Sequence, residues 1–197
     1  MCFLEQVCTR FLIYALDNKF FPKRGWYFFG DVQSYLYSSD YTKEFSRYSI
    51  AKGEIGIAKT VYKKLTVKVQ SEVGFSIGED SVPFFDFVLG GYGFNTVNNF
   101  KPFYGYDFLS IAGDSYFKSC IILDYEFLKK NHLNLSANIA KVGDDLFENG
   151  QWIDSIDYVG YAIGYGLETF IGPLELKYSF SPEREAGEWH ISAGFRF

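Results

Sequence analysis

Apolar and polar residues alternate along most of the second half of the chain. From Leu65 to Ile77 the odd positions read Leu, Val, Val, Ser, Val, Phe, Ile, and the even positions Thr, Lys, Gln, Glu, Gly, Ser. A period of two means an extended strand with one apolar and one wet face. Such a strand, at 3.3 Å per residue, runs roughly 40 Å, long enough to cross a tilted bilayer core. The pattern returns with Phe117, Ile121, Leu123, Tyr125 and Phe127, and again with Leu133, Leu135, Ala137 and Ile139. It recurs in Val159–Leu167, in Leu174–Phe180 and in Trp189–Phe197. Three less regular strands are predicted at Arg24–Tyr37, Phe45–Lys59 and Phe84–Gly93, and a short one before Asp17, about ten in all. Tight turns fall at Leu128–Asn131 and Ile171–Pro173, and a longer acidic link at Gly143–Asp157. Strict up-and-down alternation then puts the long Ser38–Glu44 link among the short turns, a sign of a miscount by one near Phe84.

Alternation alone does not say which face meets water. A soluble barrel turns its apolar face inward. Here the opposite face carries Lys68, Glu72, Asp124, Glu126, Glu168, Glu175, Lys177 and Arg196. Sealing that many charges in a small dry interior is prohibitive, whereas a wide wet lumen solvates them. The strands also exceed the usual five or six residues of soluble sheets. The apolar side is therefore assigned to lipid, with Trp26, Tyr161, Tyr165, Trp189, Phe195 and Phe197 as candidate lipid-facing or interfacial residues.

Composition sharpens this reading. Aromatic residues make up 21%, with 16 Tyr and 22 Phe, which suits a wet–apolar boundary. No apolar run is long enough for a transmembrane helix. A net charge of −5 without a basic stripe argues against nucleic acid. Cys2, Cys8 and Cys120 lack metal-ligand spacing. Asp144, Asp145 and Glu148 read as an exposed acidic loop rather than a cation site. His132 and His190 have no nucleophile and carboxylate set around them, and no cofactor, metal or catalytic residue is predicted. Met1–Leu16 has no secretion signal, so the expectation is a piece of a longer protein.

Three segments carry a family resemblance. Trp189–Phe197, with Gly194, Phe195 and Phe197, resembles the C-terminal targeting strand of bacterial outer-membrane proteins that the barrel assembly machinery recognises. The run Asp17-Asn18-Lys19-Phe20-Phe21-Pro22-Lys23-Arg24-Gly25 resembles the Asp-x-x-x-Phe-Pro-x-x-Gly turn of the bacterial surface-antigen superfamily, sixteen-stranded barrels that assemble other barrels or secrete proteins. Gly90-Gly91, followed by Phe103-Tyr104-Gly105-Tyr106, is similar to that family's inward-folded loop, whose tip usually reads Val-Arg-Gly-Phe or Val-Arg-Gly-Tyr. Tyr104 stands at the Arg position. Asn138 stands where the family places the Asp that the Arg contacts, and Ala140 where it has Gly. The resemblance thus implies a neutral lock in which Tyr104 hydrogen-bonds near Asn138 within the lumen. The wording of Pro102–Phe108 and Gly164–Pro173 is also similar to the C-terminal barrels of patatin-like phospholipases from Bacteroidetes-type bacteria. Their Gly-x-Ser-x-Gly nucleophile is not in this sequence, so no lipase chemistry is assigned to it.

The expectation is an all-β antiparallel transmembrane barrel domain over residues 1–197, its start poorly defined over 1–13, with about ten of a probable sixteen strands. The resemblance implies the bacterial outer membrane, a translocation or anchoring role, and as partners membrane lipid, the assembly machinery and missing N-terminal strands or a passenger domain. The alternatives are a small self-closed pore or structural barrel, and a soluble ligand-binding β-barrel.

Overall fold

The computed structural model describes residues 4–38, 47–78, 87–92, 99–144, 146, 149–151 and 154–194. Among them one antiparallel sheet of nine strands dominates. Its strands are β1 (Leu4–Tyr14), β2 (Arg24–Ser38), β3 (Tyr48–Tyr62), β4 (Leu65–Gly78), β8 (Ser115–Leu128), β9 (Asn131–Gly143), β10 (Tyr158–Thr169), β11 (Gly172–Phe180) and β12 (Glu188–Ala193), paired in that order. A second small sheet of β5 (Phe87–Leu89), β6 (Phe100–Lys101) and β7 (Ile111–Gly113) lies in the link between β4 and β8.

Two expectations are corrected. The strand predicted at Phe84–Gly93 is not in the wall. Its described part is β5, which pairs only with β6 and β7. The segment before Asp17 is a full wall strand of 11 residues. With these changes the links sort to two ends of the sheet, one of which holds the three two-residue turns. Residues 15–23, 63–64, 129–130 and 170–171 connect strands at one end of the sheet. The links 39–47, 79–114, 144–157 and 181–187 start and finish at the other end, so the misplaced Ser38–Glu44 link no longer conflicts.

Burial is inverted relative to a soluble protein. Ile163 and Leu135 are each 54% exposed, and Leu176, Tyr161, Tyr165, Trp26 and Trp189 are exposed too. On the other face Glu72, Lys118, Asp124, Asn134, Asn138 and Lys177 are buried. Polar residues on the outer face satisfy one another: Ser71 and Ser119 hydroxyls lie 3.0 Å apart, and Ser34 and Ser49 2.9 Å apart. That pairing removes the cost of an unmade hydrogen bond in an apolar medium. Among the described residues, β1 and β12 each keep one edge without a strand partner.

Candidate functional site: the lumen loop and its locks

The β4–β8 link folds into the concave, polar side of the sheet. Phe87, Leu89, Phe103, Tyr106 and Ile111 of the loop pack with Tyr116, Ala140 and Val142 of the wall. Gly105 allows the tip to turn, with φ at +81°, and presses on the backbone of Phe180. Opposite, a Cβ at Gly160 on β10 would run into the Tyr104 carbonyl. The wall therefore has a seat cut for the loop backbone.

Three polar locks hold the loop there. In the first, Glu72 on β4 binds Lys118 on β8 at 2.5 Å and Lys101 of the loop at 3.1 Å. Lys118 Nζ also donates to the Pro102 carbonyl at 3.2 Å. In the second, Lys177 on β11 donates to the hydroxyls of Tyr92 (2.9 Å) and Tyr104 (3.2 Å). Its Nζ sits 4.2 Å from the Tyr92 ring centre, a cation–π contact in a desolvated site. Tyr92 in turn donates to Glu175 at 3.0 Å. In the third, the 181–187 link grips the tip. Arg184 pairs with Asp107 at 2.7 Å and donates to the Gly105 carbonyl at 3.3 Å, and the Tyr106 hydroxyl donates to Glu183 at 2.5 Å.

The expected Tyr104–Asn138 hydrogen bond is not formed. The Tyr104 hydroxyl is bound by Lys177, while Asn138 Oδ1 is buried with no hydrogen bond. Both residues do line one cavity of about 250 Å³, together with Glu72, Lys101, Lys118 and Cys120. The loop tip carries no cation at position 104. A cation reaches the same tyrosine from the wall instead, through Lys177. Alternation places Lys177 on the lumen face, so its charge was legible; its partners were not, because Tyr92 lies in an irregular segment.

The polar wall continues along β9. His132, Asn134, Ser136 and Asn138 face the lumen, and their partners on β10 are Gly166, Gly164, Ala162 and Gly160. Small residues on one strand thus open a groove beside polar ones on the next. Asn134 lines a second cavity of about 310 Å³, which shares Gln70 and Tyr92 with the first. Polar cavities of this size hold water.

The Asp17–Gly25 turn closes the lumen at the short-turn end. Asp17 Oδ1 accepts from the amides of Lys23 (2.9 Å) and Arg24 (3.2 Å), and Asn18 Oδ1 from those of Phe20 and Phe21. Burial raises the Asp17 carboxyl, but the two amides and the Arg24 charge together hold it below the usual carboxylate value. Gly25 (φ +114°) turns where a Cβ would meet the Ala15 carbonyl. The motif does more than reverse the chain. It drives Phe21 into the lumen, stacked on His132 with centroids 4.1 Å apart and with Lys68 over its ring at 5.4 Å. Lys23 fastens the turn to Glu126 on β8 at 2.6 Å.

Gly194 has φ at +91° and donates its amide to the Pro173 carbonyl at 2.9 Å. Phe195 and Phe197 lie outside the described residues, as do Asp145 and Glu148. Asp144 accepts from the Asp114 amide at 3.3 Å.

A sheet with apolar side chains outside, a charged lumen and a loop folded into it is the wall of a transmembrane β-barrel. The model of the OMP85 superfamily matches residues 6–197, and the chain belongs to that superfamily. It is similar to the crystal structure of BamA from Haemophilus ducreyi lacking POTRA domains 1-3, with 14% identity and a TM-score of 0.69. That match covers 94% of this chain and 40% of the BamA chain, and it is a likeness of fold. No curated protein matches the chain by sequence.

Proposed function

We propose that the chain forms the wall and lumen loop of a bacterial outer-membrane barrel that anchors, and moves across the membrane, a polypeptide carried by the same protein. The observation that carries this reading is a lumen filled by a loop that three polar locks tie to the wall beside its apolar seat. Polar locks of this kind have two discrete arrangements, made and broken, and can bias a loop between a seated and a released position. The open edges of β1 and β12 support a larger barrel, because unpaired backbone groups are not tolerated in lipid. Membership of the superfamily supports the outer membrane, with the short turns toward the periplasm and Gly194, Phe195 and Phe197 as the segment read by the assembly machinery.

Expressed behind a secretion signal in a bacterium with an outer membrane, the protein is expected in the outer-membrane fraction, extracted only by detergent. An epitope inserted in the 181–187 link should be reached by antibody on intact cells. Recovery in the aqueous fraction overturns the reading. A patatin-like lipase is the passenger that the wording of Pro102–Phe108 and Gly164–Pro173 favours. An in-frame Gly-x-Ser-x-Gly elbow in the DNA upstream of Met1 tests that point.

A further inference from the structure

The two ends of the sheet differ in charge. At the long-link end the exposed charges include Asp107, Asp154, Asp157, Glu183 and Glu185. At the short-turn end, the two neighbouring hairpin tips are Lys63-Lys64 and Lys129-Lys130, all exposed. They are adjacent because β4 pairs with β8: the Glu126 amide donates to the Lys64 carbonyl at 3.0 Å. Lys64 Nζ reaches across to the Phe127 carbonyl at 3.1 Å. Next along the rim is the β10–β11 tip, joined through the Glu168 amide on the Lys130 carbonyl, where Phe170 is 94% exposed beside exposed Ile171.

The backbone at these tips makes the lysines informative. Lys63 and Lys130 have φ of +40° and +66°, the left-handed region where two-residue hairpins ordinarily place Gly or Asn. Both positions carry a side chain against that backbone preference, and in both cases it is a cation. A residue in a sparsely populated conformation motivates a functional reading when other features converge on it. Here they do. Tyr62 and Leu128, immediately before the two lysine pairs, are exposed apolar residues. Arg24 and Lys59 are exposed cross-strand partners on the outer face of β2 and β3, beyond Trp26 and Ile57. Two carboxylates of this end are engaged, Glu126 with Lys23 and the Lys130 amide and Asp17 with two amides, and Glu168 lies 3.3 Å from His132 Nε2, which makes no hydrogen bond.

We propose that this arc, Arg24, Lys59, Lys63, Lys64, Lys129 and Lys130, is a binding site for anionic phospholipid headgroups of the leaflet at the short-turn end. Tyr62, Leu128 and Phe170 enter the acyl boundary beside it. Cations at an interface attract acidic headgroups, and long side chains extend their charge to the phosphate while the stem stays in the apolar layer. The acidic opposite end makes the preference one-sided and so orients the barrel. The inference rests on the transmembrane reading above.

The test uses Trp26 as a reporter near the arc and Trp189, which packs on Tyr178 toward the long-link end, as the control. The complete barrel that contains this chain, with either Trp26 or Trp189 as its single tryptophan, is folded into vesicles containing brominated phosphatidylglycerol or brominated phosphatidylcholine. At low salt, phosphatidylglycerol is expected to be preferred at Trp26 by about threefold to tenfold, with no preference at Trp189. Replacing all six cations by Gln should abolish the preference. Should that variant fail to fold, Lys63→Gly with Lys130→Gly relieves the backbone while removing two charges. That pair should unfold at higher temperature and yet show a weaker preference. Equal quenching of Trp26 by both lipids overturns the site and leaves the rim to an acidic protein. Quenching by neither overturns the membrane reading itself.

Discussion

Lys177 and Glu72 are the two charges on which the lumen loop depends, and they differ in what their loss leaves behind. Lys177→Met keeps the stem that fills the space beside Gly164 but removes the donor to Tyr92 and Tyr104. Two charge-assisted hydrogen bonds are lost, two neutral hydroxyls remain and Glu175, 3.8 Å from the lysine, loses that counter-charge, a cost of about 2–4 kcal/mol. Glu72→Gln leaves Lys101 and Lys118 facing each other with Glu54, which accepts from the Tyr27 hydroxyl, as the other carboxylate of that cavity, and about 3–5 kcal/mol is the expected loss. Thermal unfolding in detergent micelles, followed by the gel shift between folded and unfolded barrel, should rank Glu72→Gln below Lys177→Met. The reverse order would mean that the Lys177 contact, not the Glu72 triad, is the main lock. The charges themselves were legible, since alternation assigns Glu72, Lys118 and Lys177 to the wet face. Their partnerships were not, because Lys101 and Tyr92 come from a loop whose path no periodicity fixes. Asn138 shows the same limit. Its buried lumen position follows from register, while the partner expected for it was taken by a lysine two strands away.

At the scale of elements, the loop and the Asp17–Gly25 turn are held by close backbone approach as much as by charge. Gly160→Ala places a methyl group against the Tyr104 carbonyl, so the loop must shift outward. Overpacking of this kind costs on the order of 1–3 kcal/mol. The Tyr104–Gly105 bond, at a tyrosine buried in the lumen, is expected to become a site of rapid chymotrypsin cleavage in this variant and not in Gly30→Ala, where a Cβ meets only the Phe28 ring at 3.6 Å. The turn responds to pH. Because the folded Asp17 pKa lies below its unfolded value, its contribution is complete above the unfolded pKa and vanishes as pH falls through the folded one. Hydrogen exchange at the Lys23 and Arg24 amides should therefore quicken on acidification below the ordinary carboxylate range, beyond the intrinsic trend. Asp17→Asn should flatten that response; an unaltered profile would show that the amides are protected by the sheet alone. Strand positions were read well where one face is uniformly apolar. Phe84–Gly93 was misplaced because β5 is short, buried on one side and half-buried on the other, and such a run does not differ in pattern from a wall strand.

For the whole molecule, the decisive property is which side of the sheet meets hydrocarbon. Ile163 lies on the outer face of β10, between its register partners Leu135 on β9 and Tyr178 on β11. An arginine there faces lipid near the middle of three paired strands, where a charge costs about 2–4 kcal/mol. Gln70 lies on the lumen face of β4, donates to the Tyr27 hydroxyl at 2.9 Å and borders both cavities. A carboxylate at Gln70 stays within reach of water and of the lumen lysines, so Gln70→Glu is expected to insert almost normally. A soluble barrel reverses this order: Ile163→Arg becomes an exposed substitution worth less than about 0.5 kcal/mol, and Gln70→Glu buries a new charge. The yield of folded protein in vesicles, compared for the two variants, therefore reads the orientation of the sheet directly. Impaired insertion of Ile163→Arg with near-normal Gln70→Glu agrees with lipid on the aromatic face. The opposite result would mean that the polar side of every strand, from Glu72 through Asn138 to Lys177, had been assigned to the wrong solvent.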